Sequence, residues 1–423
     1  MACPSSRCVA ALAALVLAAS ACAQVQDFQS PSDPPLAAAA AASPPSQKLD
    51  PVCGSVDDPA SCGACGHSCM GGACSAGVCQ PVILAEGQGL SVEPYYAGPR
   101  AIVTDETHVY WVTKPGLFRV SIAGGVPEKL ADASVVSTYA TNSDDSTNLI
   151  VLHGSHVYLR SADRTRIVRV PKTGGASLVT PVTPVADAEW TVGEMRFHGD
   201  QLVWMEQSFI RRHVLWTCAS LPCDATERHE AWDADAVIDG LTLWPETFAS
   251  DGANLCVSFA STKEVSGDYG VVCLAGGKKR FASGTSPVGS LVAAGHAGAD
   301  IVTVYGSSGG MVFRTVIGTT IASPFLPDTV LASGGAAPRS APLLDSGYLY
   351  WLGSPPATTD AALGPANVVW RVDESGRALP EPVRTGKPMI ALAVTKDALY
   401  FGTSDGEVAK LAKPLARTQE ALP

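Results

Sequence analysis

Charge is scarce in this chain. Asp, Glu, Lys and Arg make up 16% of its 423 residues, against about 25% in ordinary soluble domains. Basic residues are the rarer sign, 29 against 40 acidic, for a net charge of −11. Phosphate binding needs clustered Lys and Arg, so this balance argues against a nucleic-acid partner. Aromatic residues are only 7%. No apolar run reaches the roughly 20 residues needed to cross a bilayer as a helix, and no amphipathic helical period is convincing. Turn formers and thiols are plentiful instead: 40 Gly, 31 Pro and 13 Cys. So much Gly and Pro demands frequent turns, and thirteen cysteines are too many for a typical cytosolic protein. The length suits about two or three domains, or one large repeat domain with appendages.

Residues 1–21 read as an export signal. Arg7 is the only charge before Val9–Ala19, an apolar run of the length of a signal-peptide core. The segment Leu17-Ala18-Ala19-Ser20-Ala21-Cys22 resembles a bacterial lipobox, with Ala19 where that pattern prefers Leu. The resemblance implies cleavage before Cys22 and a lipid on Cys22. Because Ala23 is not Asp, it also implies an outer-membrane lipoprotein, facing the periplasm or the surface. An ordinary cut near Ala21 or Ala23 would release a soluble secreted protein instead. Residues 22–51, rich in Ala, Pro, Ser and Gln, bury no core and read as a tether.

Residues 52–80 hold Cys53, Cys62, Cys65, Cys69, Cys74 and Cys79 among many glycines. Cys62 and Cys65 have zinc-knuckle spacing, but an exported chain meets oxidising machinery and three disulfides are expected. Six cysteines allow 15 pairings, and the sequence does not choose among them. So small a segment has almost no core and needs such staples. The pattern resembles the Cys-Gly-rich modules of myxobacterial envelope proteins and of the plant stigma-specific family. That resemblance implies an extracellular module, not an activity, and a spacer is expected rather than a binding role.

From Pro81 to the end a strand signature recurs seven times: His108–Trp111, His156–Leu159, Gln201–Trp204, Asn254–Val257, Asp300–Thr303, Tyr348–Trp351 and Ala398–Phe401. Nearly every copy follows a polar turn and an apolar strand, a hairpin signal. A third strand follows in Phe118-Arg119-Val120, Val168-Arg169-Val170 and Trp370-Arg371-Val372. The Gly pairs at 124–125, 174–175 and 276–277 suit the next hairpin, and a fourth strand covers 127–132. Four strands per repeat of this length predict a seven-bladed all-β propeller over 81–423, with six blades as the alternative. The seventh copy lacks room for a fourth strand. Pro81–Glu86 repeats the Pro-x-x-Leu-Ala-acid pattern of 127–132 and is expected to complete that blade, removing two open edges. The Tyr-Trp and Arg-Val strands resemble the YWTD and NHL propellers and myxobacterial propeller lipoproteins. Trp111 is followed by Val112-Thr113 where the YWTD pattern has Thr-Asp, and the count of seven departs from their six blades.

Nothing catalytic survives inspection. Gly306–Gly310 fits G-x-S-x-G, but that motif needs a strand-to-helix elbow and here it joins two strands. His153 and His156 sit in a hairpin where polar residues belong anyway. Cys218 with Cys223, and Cys256 with Cys273, are local disulfide candidates, which leaves no thiol nucleophile. The expected channel-mouth positions are Arg100, Asn148, Glu194, Glu246, Arg339 and Lys387. Their mixed signs suit a salt-bridged ring better than a metal cage, so no metal and no cofactor are expected. Long connections are expected between second and third strands and between blades, on one face. They carry Asp132, Asp144, Asp145, Asp187, Glu189, Asp233, Asp235 and Asp239, with Trp190 and Trp244 among them. The expectation is a monomeric, lipid-anchored, non-enzymatic envelope protein whose upper face binds a protein, a polysaccharide or another ligand. A metal-dependent propeller hydrolase or lactonase, and a structural scaffold of an envelope complex, are the alternatives.

Overall fold

The computed structural model describes residues 54–88, 98–136, 149–175, 178–180, 190–208, 213–218, 228–232, 243–261, 269–275, 278–284, 288–295, 302–308, 310–317, 324–325, 329–333, 336, 338, 340–354 and 367–415. Residues 1–21, Cys22, Cys53, Asn148, Cys223 and Arg339 lie outside them, as do the long-loop acids except Asp132. Leu49–Pro423 forms one compact unit.

Seven antiparallel blades of four strands follow one another, and a fifth, parallel strand joins the sheet of blade 4. Blade 1 is Ala101–Thr104, His108–Thr113, Gly116–Ser121 and Glu128–Asp132; blade 2 is Ile150–His153, His156–Arg160, Ile167–Pro171 and Leu178–Thr180. Blade 3 is Trp190–His198, Gln201–Ser208, His213–Cys218 and Arg228–Trp232; blade 4 is Leu243–Ser250, Asn254–Ser261, Tyr269–Ala275 and Lys278–Gly284. Blade 5 is Ser290–Gly295, Val302–Ser308, Met311–Ile317 and Thr329–Ala332; blade 6 is Leu343–Asp345, Tyr348–Gly353, Val368–Asp373 and Glu381–Thr385. Blade 7 is Met389–Val394, Ala398–Thr403 and Val408–Ala412, and its fourth strand is Val82–Ala85 from the other end of the chain. The seven first strands touch in cyclic order, blade 7 against blade 1. The ring is a seven-bladed propeller, closed as the Pro-x-x-Leu-Ala repeat predicts, with Val82 opposite Lys410 and Ile83 opposite Ala409.

The core is divided into seven clusters, one between each pair of neighbouring blades. This explains the Tyr-Trp signature. Successive strand residues point to opposite faces, and a blade packs on both. Val109 and Trp111 therefore fill the cluster toward blade 7, while Tyr110 and Val112 fill the one toward blade 2. Blade 6 repeats the division with Leu349 and Trp351 on one side and Tyr350 and Leu352 on the other. A continuous apolar run is the mark of a strand buried on both faces.

The recurrent third-strand cation is a clamp between blades. The Arg119 guanidinium donates to the carbonyl oxygen of Lys172 in blade 2. Arg371 of blade 6 donates to Pro414 O at 2.8 Å and Leu415 O at 3.1 Å, just past blade 7. In blade 7 Lys410 takes the same role, reaching Ile122 O at 2.8 Å after the third strand of blade 1. Each arginine is also held by a fourth-strand acid, Glu128 or Glu381. A second tie runs back from the next blade: Lys172 to Asp105 at 2.9 Å, and Lys413 to Asp345. Burial alone would raise the Asp105 carboxyl, but the Lys172 ammonium and donors from Thr107 and His108 outweigh it and hold it well below the usual carboxylate range. Burial, reinforced by Asp105, pushes the Tyr110 phenol up to about 12.

Connection lengths depart from expectation in blades 1 and 5. Their second-to-third turns are tight, Thr113 opposite Gly116 and Ser308 opposite Met311. In blade 1 the turn needs Gly116, whose φ is +139° and where a Cβ would lie 2.0 Å from Ala131 O. The third-to-fourth connection of blade 5 is long instead. It lays Pro324–Phe325 parallel to the outer strand of blade 4 at Ser283 and Gly284, covering an edge that would otherwise offer free donors and acceptors.

Disulfides join Cys62 to Cys74, Cys69 to Cys79 and Cys256 to Cys273, and Cys65 and Cys218 are disulfide-bonded too. The zinc-knuckle alternative therefore falls for Cys62 and Cys65. The last bridge crosses neighbouring strands of blade 4 at an in-register pair. It closes a loop of sequence separation 17, for which the chain-entropy account gives about 3 kcal/mol. Replacing both Cys256 and Cys273 by Ala is expected to lower the unfolding free energy by that much, read from urea titrations of the purified protein.

The cysteine module is no free-standing spacer. Cys62, Cys69, Cys74 and Cys79 pack in the cluster between blades 6 and 7, and Met70 lies against that cluster and the next. Its glycines permit the tight fold: a Cβ on Gly63, at φ +70°, would lie 2.4 Å from Gly77 O.

Candidate functional site

The channel mouth is built on bulges. Innermost strands of blades 3, 4 and 7 shift register between Val192 and Met195, Pro245 and Thr247, and Met389 and Ala391. Bulges re-aim side chains, and Glu194 and Glu246 both occupy them. Glu194 is turned into the wall. One oxygen accepts from Thr247 Oγ1 at 2.7 Å and Phe248 N at 3.3 Å; the other pairs with Arg196 at 3.1 Å. Arg196 itself reaches Leu291 O of blade 5 at 3.3 Å, so this cation ties together blades that are not neighbours. Glu246 is exposed. Arg100 opens blade 1, its backbone N donating to Val112 O at 3.0 Å. Lys387 is bridged to Asp405 at 2.9 Å and to Glu407, and those carboxylates hold its ammonium above the ordinary lysine range. Among the described residues of this set, Glu194 and Arg196 tie blades 3, 4 and 5 together.

Other sequence candidates are accounted for locally. In the G-x-S-x-G segment Ser308 faces Met311 across a hairpin, and the neighbouring Ser307 hydroxyl bonds Ser290 Oγ at 2.7 Å. His153 stacks on Phe197 of blade 3 with ring centroids 4.0 Å apart, its Nε2 3.6 Å from Asp200. Burial, with Arg169 nearby, lowers the His156 imidazole. Among the described residues Cys62, Cys69 and Cys79 form a group with metal-ligand spacing, but all three sulfurs are committed to disulfides. The backbones of Trp190 and Trp244 pair with Ser208 and Ala260 at the ends of their strands nearest the blade-to-blade connections.

The structure adds a cleft that the sequence did not announce. Between the module and blades 6 and 7 lies a cavity of about 420 Å³, within the range typical of small-molecule sites. Gly66, His67, Ser68 and Met70 of the module form one wall; Ser346, Tyr348, Lys396 and Asp397 form much of the other. Arg371 stacks on the Tyr348 ring at 4.8 Å and Lys413 on the Tyr350 ring at the same distance. Burial lowers the Lys413 ammonium, against the pull of Asp345. Lys396 and Asp397 stand largely in solvent, 3.8 Å apart, and are the charges there with most freedom to meet a ligand. Ser346 and Lys396–Asp397 belong to first-to-second turns, so the module lies on that face of the ring at blades 6 and 7.

No family model matches this chain, and no curated protein sequence matches it. Among solved structures it is similar to a puromycin-hydrolyzing peptidase of Mycobacterium tuberculosis, at 13% identity over 76% of this chain and 52% of that one, with a TM-score of 0.48. It is similar to YCF48 from Cyanidioschyzon merolae at 10% identity, over 76% and 97% of the two chains, with a TM-score of 0.46. It is also similar to BamB from Moraxella catarrhalis at 13% identity, over 80% and 98%, with a TM-score of 0.41. At such identity nothing chemical is carried over to this chain.

Proposed function

We propose that this is an exported, non-enzymatic binding protein of the cell envelope, anchored through Cys22 and presenting the long-loop face of its propeller to a polysaccharide or protein. The observation that supports the reading is the seat of the cysteine module. It lies on the first-to-second turn face at blades 6 and 7. Second-to-third and blade-to-blade connections emerge at the opposite ends of the strands. The module thus occupies part of one face, and at the opposite strand ends Trp190 and Trp244 would supply the large, rigid apolar surface on which binding energy concentrates.

Immobilised envelope polysaccharide is the probe for this reading. The wild-type protein should be retained, and the Trp190→Ala, Trp244→Ala double variant should bind about tenfold or more weakly at unchanged melting temperature. Equal retention of both proteins would sink the upper-face assignment. The hydrolase alternative is met by melting the same protein with and without a chelator: a bound metal would raise the melting temperature by mass action.

A further inference from the structure

The cleft between the module and blades 6 and 7 is held open from both sides. On the module side the segment 66–70 is framed by the Cys62–Cys74 and Cys69–Cys79 bridges. His67 spans the joint, its Nδ1 2.8 Å from Cys62 O and its Nε2 2.9 Å from Lys413 O. A site preformed in this way binds without the cost of ordering its walls. What it offers a ligand follows from which of its groups are already spent. Arg371 donates to Glu381, to the carbonyl oxygens of Pro414 and Leu415 and to the Tyr350 hydroxyl. Lys413 is bound to Asp345. Lys396 and Asp397 stand 3.8 Å apart, too far for a hydrogen bond, so each keeps its bonding capacity while their charges offset. Every cation of the lining thus has an acid beside it, and an ionic ligand meets no unmatched charge there.

The Tyr350 hydroxyl differs from its counterpart in blade 1. There Tyr110 donates to Asp105 Oδ2 at 3.1 Å. In blade 6 the matching oxygen, Asp345 Oδ2, accepts from Ser346 Oγ at 2.6 Å and from Lys413. Among the described residues the Tyr350 hydroxyl receives Arg371 and has no acceptor for its own proton. Tyr350 is 1% exposed and lines the cleft, and a buried donor left without an acceptor is costly. We propose that the cleft is a binding site for a short neutral saccharide. Tyr350 donates to a sugar oxygen. The exposed Asp397 carboxylate, with two oxygens and no donor of its own, accepts from neighbouring sugar hydroxyls. Lys396 and the Ser68 hydroxyl donate at the rim, and Met70, Leu415 and the Tyr348 ring supply apolar surface for the C–H face of the sugar. A purely apolar ligand would leave the hydroxyls unpaired, at a cost. The site does not depend on the binding role proposed above, because Trp190 and Trp244 lie at the opposite strand ends.

The test uses the full chain with its disulfides intact. Cellobiose, lactose, maltose and diacetylchitobiose are the neutral probes, glucuronate and glucosamine the charged ones, and calorimetry reads the affinities. At least one neutral disaccharide should bind with millimolar affinity or better. Tyr350→Phe removes only the hydroxyl and should weaken that binding about tenfold, the effect of one lost hydrogen bond in a buried site. Asp397→Ala should weaken it by a similar factor; its side chain is exposed, so this variant tests the site even where Tyr350→Phe lowers the melting temperature. Tyr110→Phe makes the same change in blade 1, outside the cleft, and should bind as the wild type does. Failure of all four disaccharides to bind, an affinity unmoved by Tyr350→Phe or by Asp397→Ala, or tighter binding of glucuronate or glucosamine than of any neutral sugar would each overturn the proposal.

Discussion

Replacing Arg371 by alanine should lower the unfolding free energy by about 3–5 kcal/mol, the cost of breaking a buried ion pair from one side. The Arg371 side chain is only 4% exposed. It is satisfied by Glu381 at 2.5 Å and by the carbonyl oxygens of Pro414 and Leu415. Its removal takes one cation away from Glu381, from two carbonyl acceptors at the seam between blades 6 and 7 and from the Tyr348 ring. Arg371→Lys is the informative companion. Lys410 performs the same clamp with a single ammonium in blade 7, so lysine should recover part of the loss but not the two-carbonyl geometry. Urea titration reads both variants, through a lower midpoint at unchanged slope. A loss below about 1 kcal/mol for the alanine variant, the range of an exposed ion pair, would show that the clamp is ornamental.

The largest effect is expected from removing the closing strand. A chain that begins at Gly87 lacks Val82–Ala85 and leaves Val408–Ala412, buried throughout, as an open edge. Such an edge pairs with whatever strand it meets, so the truncated protein should unfold without a cooperative transition and elute as aggregates on size exclusion. Truncation also removes the cysteine module, so a point substitution isolates the strand. Leu84 is 4% exposed between blades 7 and 1, and Leu84→Ala should cost about 2–5 kcal/mol with the module in place. A truncated chain melting within a few degrees of the intact protein would mean that the ring closes by other means.

The propeller was legible in the sequence because its period is written in side chains. The alternation of Val109, Tyr110, Trp111 and Val112 records a strand packed on two faces, and the likeness of 81–86 to 127–132 records ring closure. The third-strand arginines were visible as a pattern, but their purpose was not. Their targets are the carbonyl oxygens of Lys172, Pro414 and Leu415, and a carbonyl has no letter in a sequence. The same holds for His67, whose partners are the backbone oxygens of Cys62 and Lys413. Blade 5 misled for another reason. A loop long enough to lend Pro324–Phe325 to blade 4 has the same composition as one that merely connects. At the channel mouth Glu194 stood out in the sequence as a charged position. Its commitment to Thr247 and Arg196 follows from a one-residue bulge, which turn signals do not encode.

The closed ring also imposes an order in time. The cysteine module closes its loops over sequence separations of 12 and 10, so it can be finished almost as soon as it is made. The strand that follows it, Val82–Ala85, pairs with Val408–Ala412, among the last segments to be synthesised. Contacts so distant in sequence form slowly. The chain therefore holds a completed knot at its beginning and an unpaired strand beside it, waiting through the assembly of six blades for the seventh to arrive.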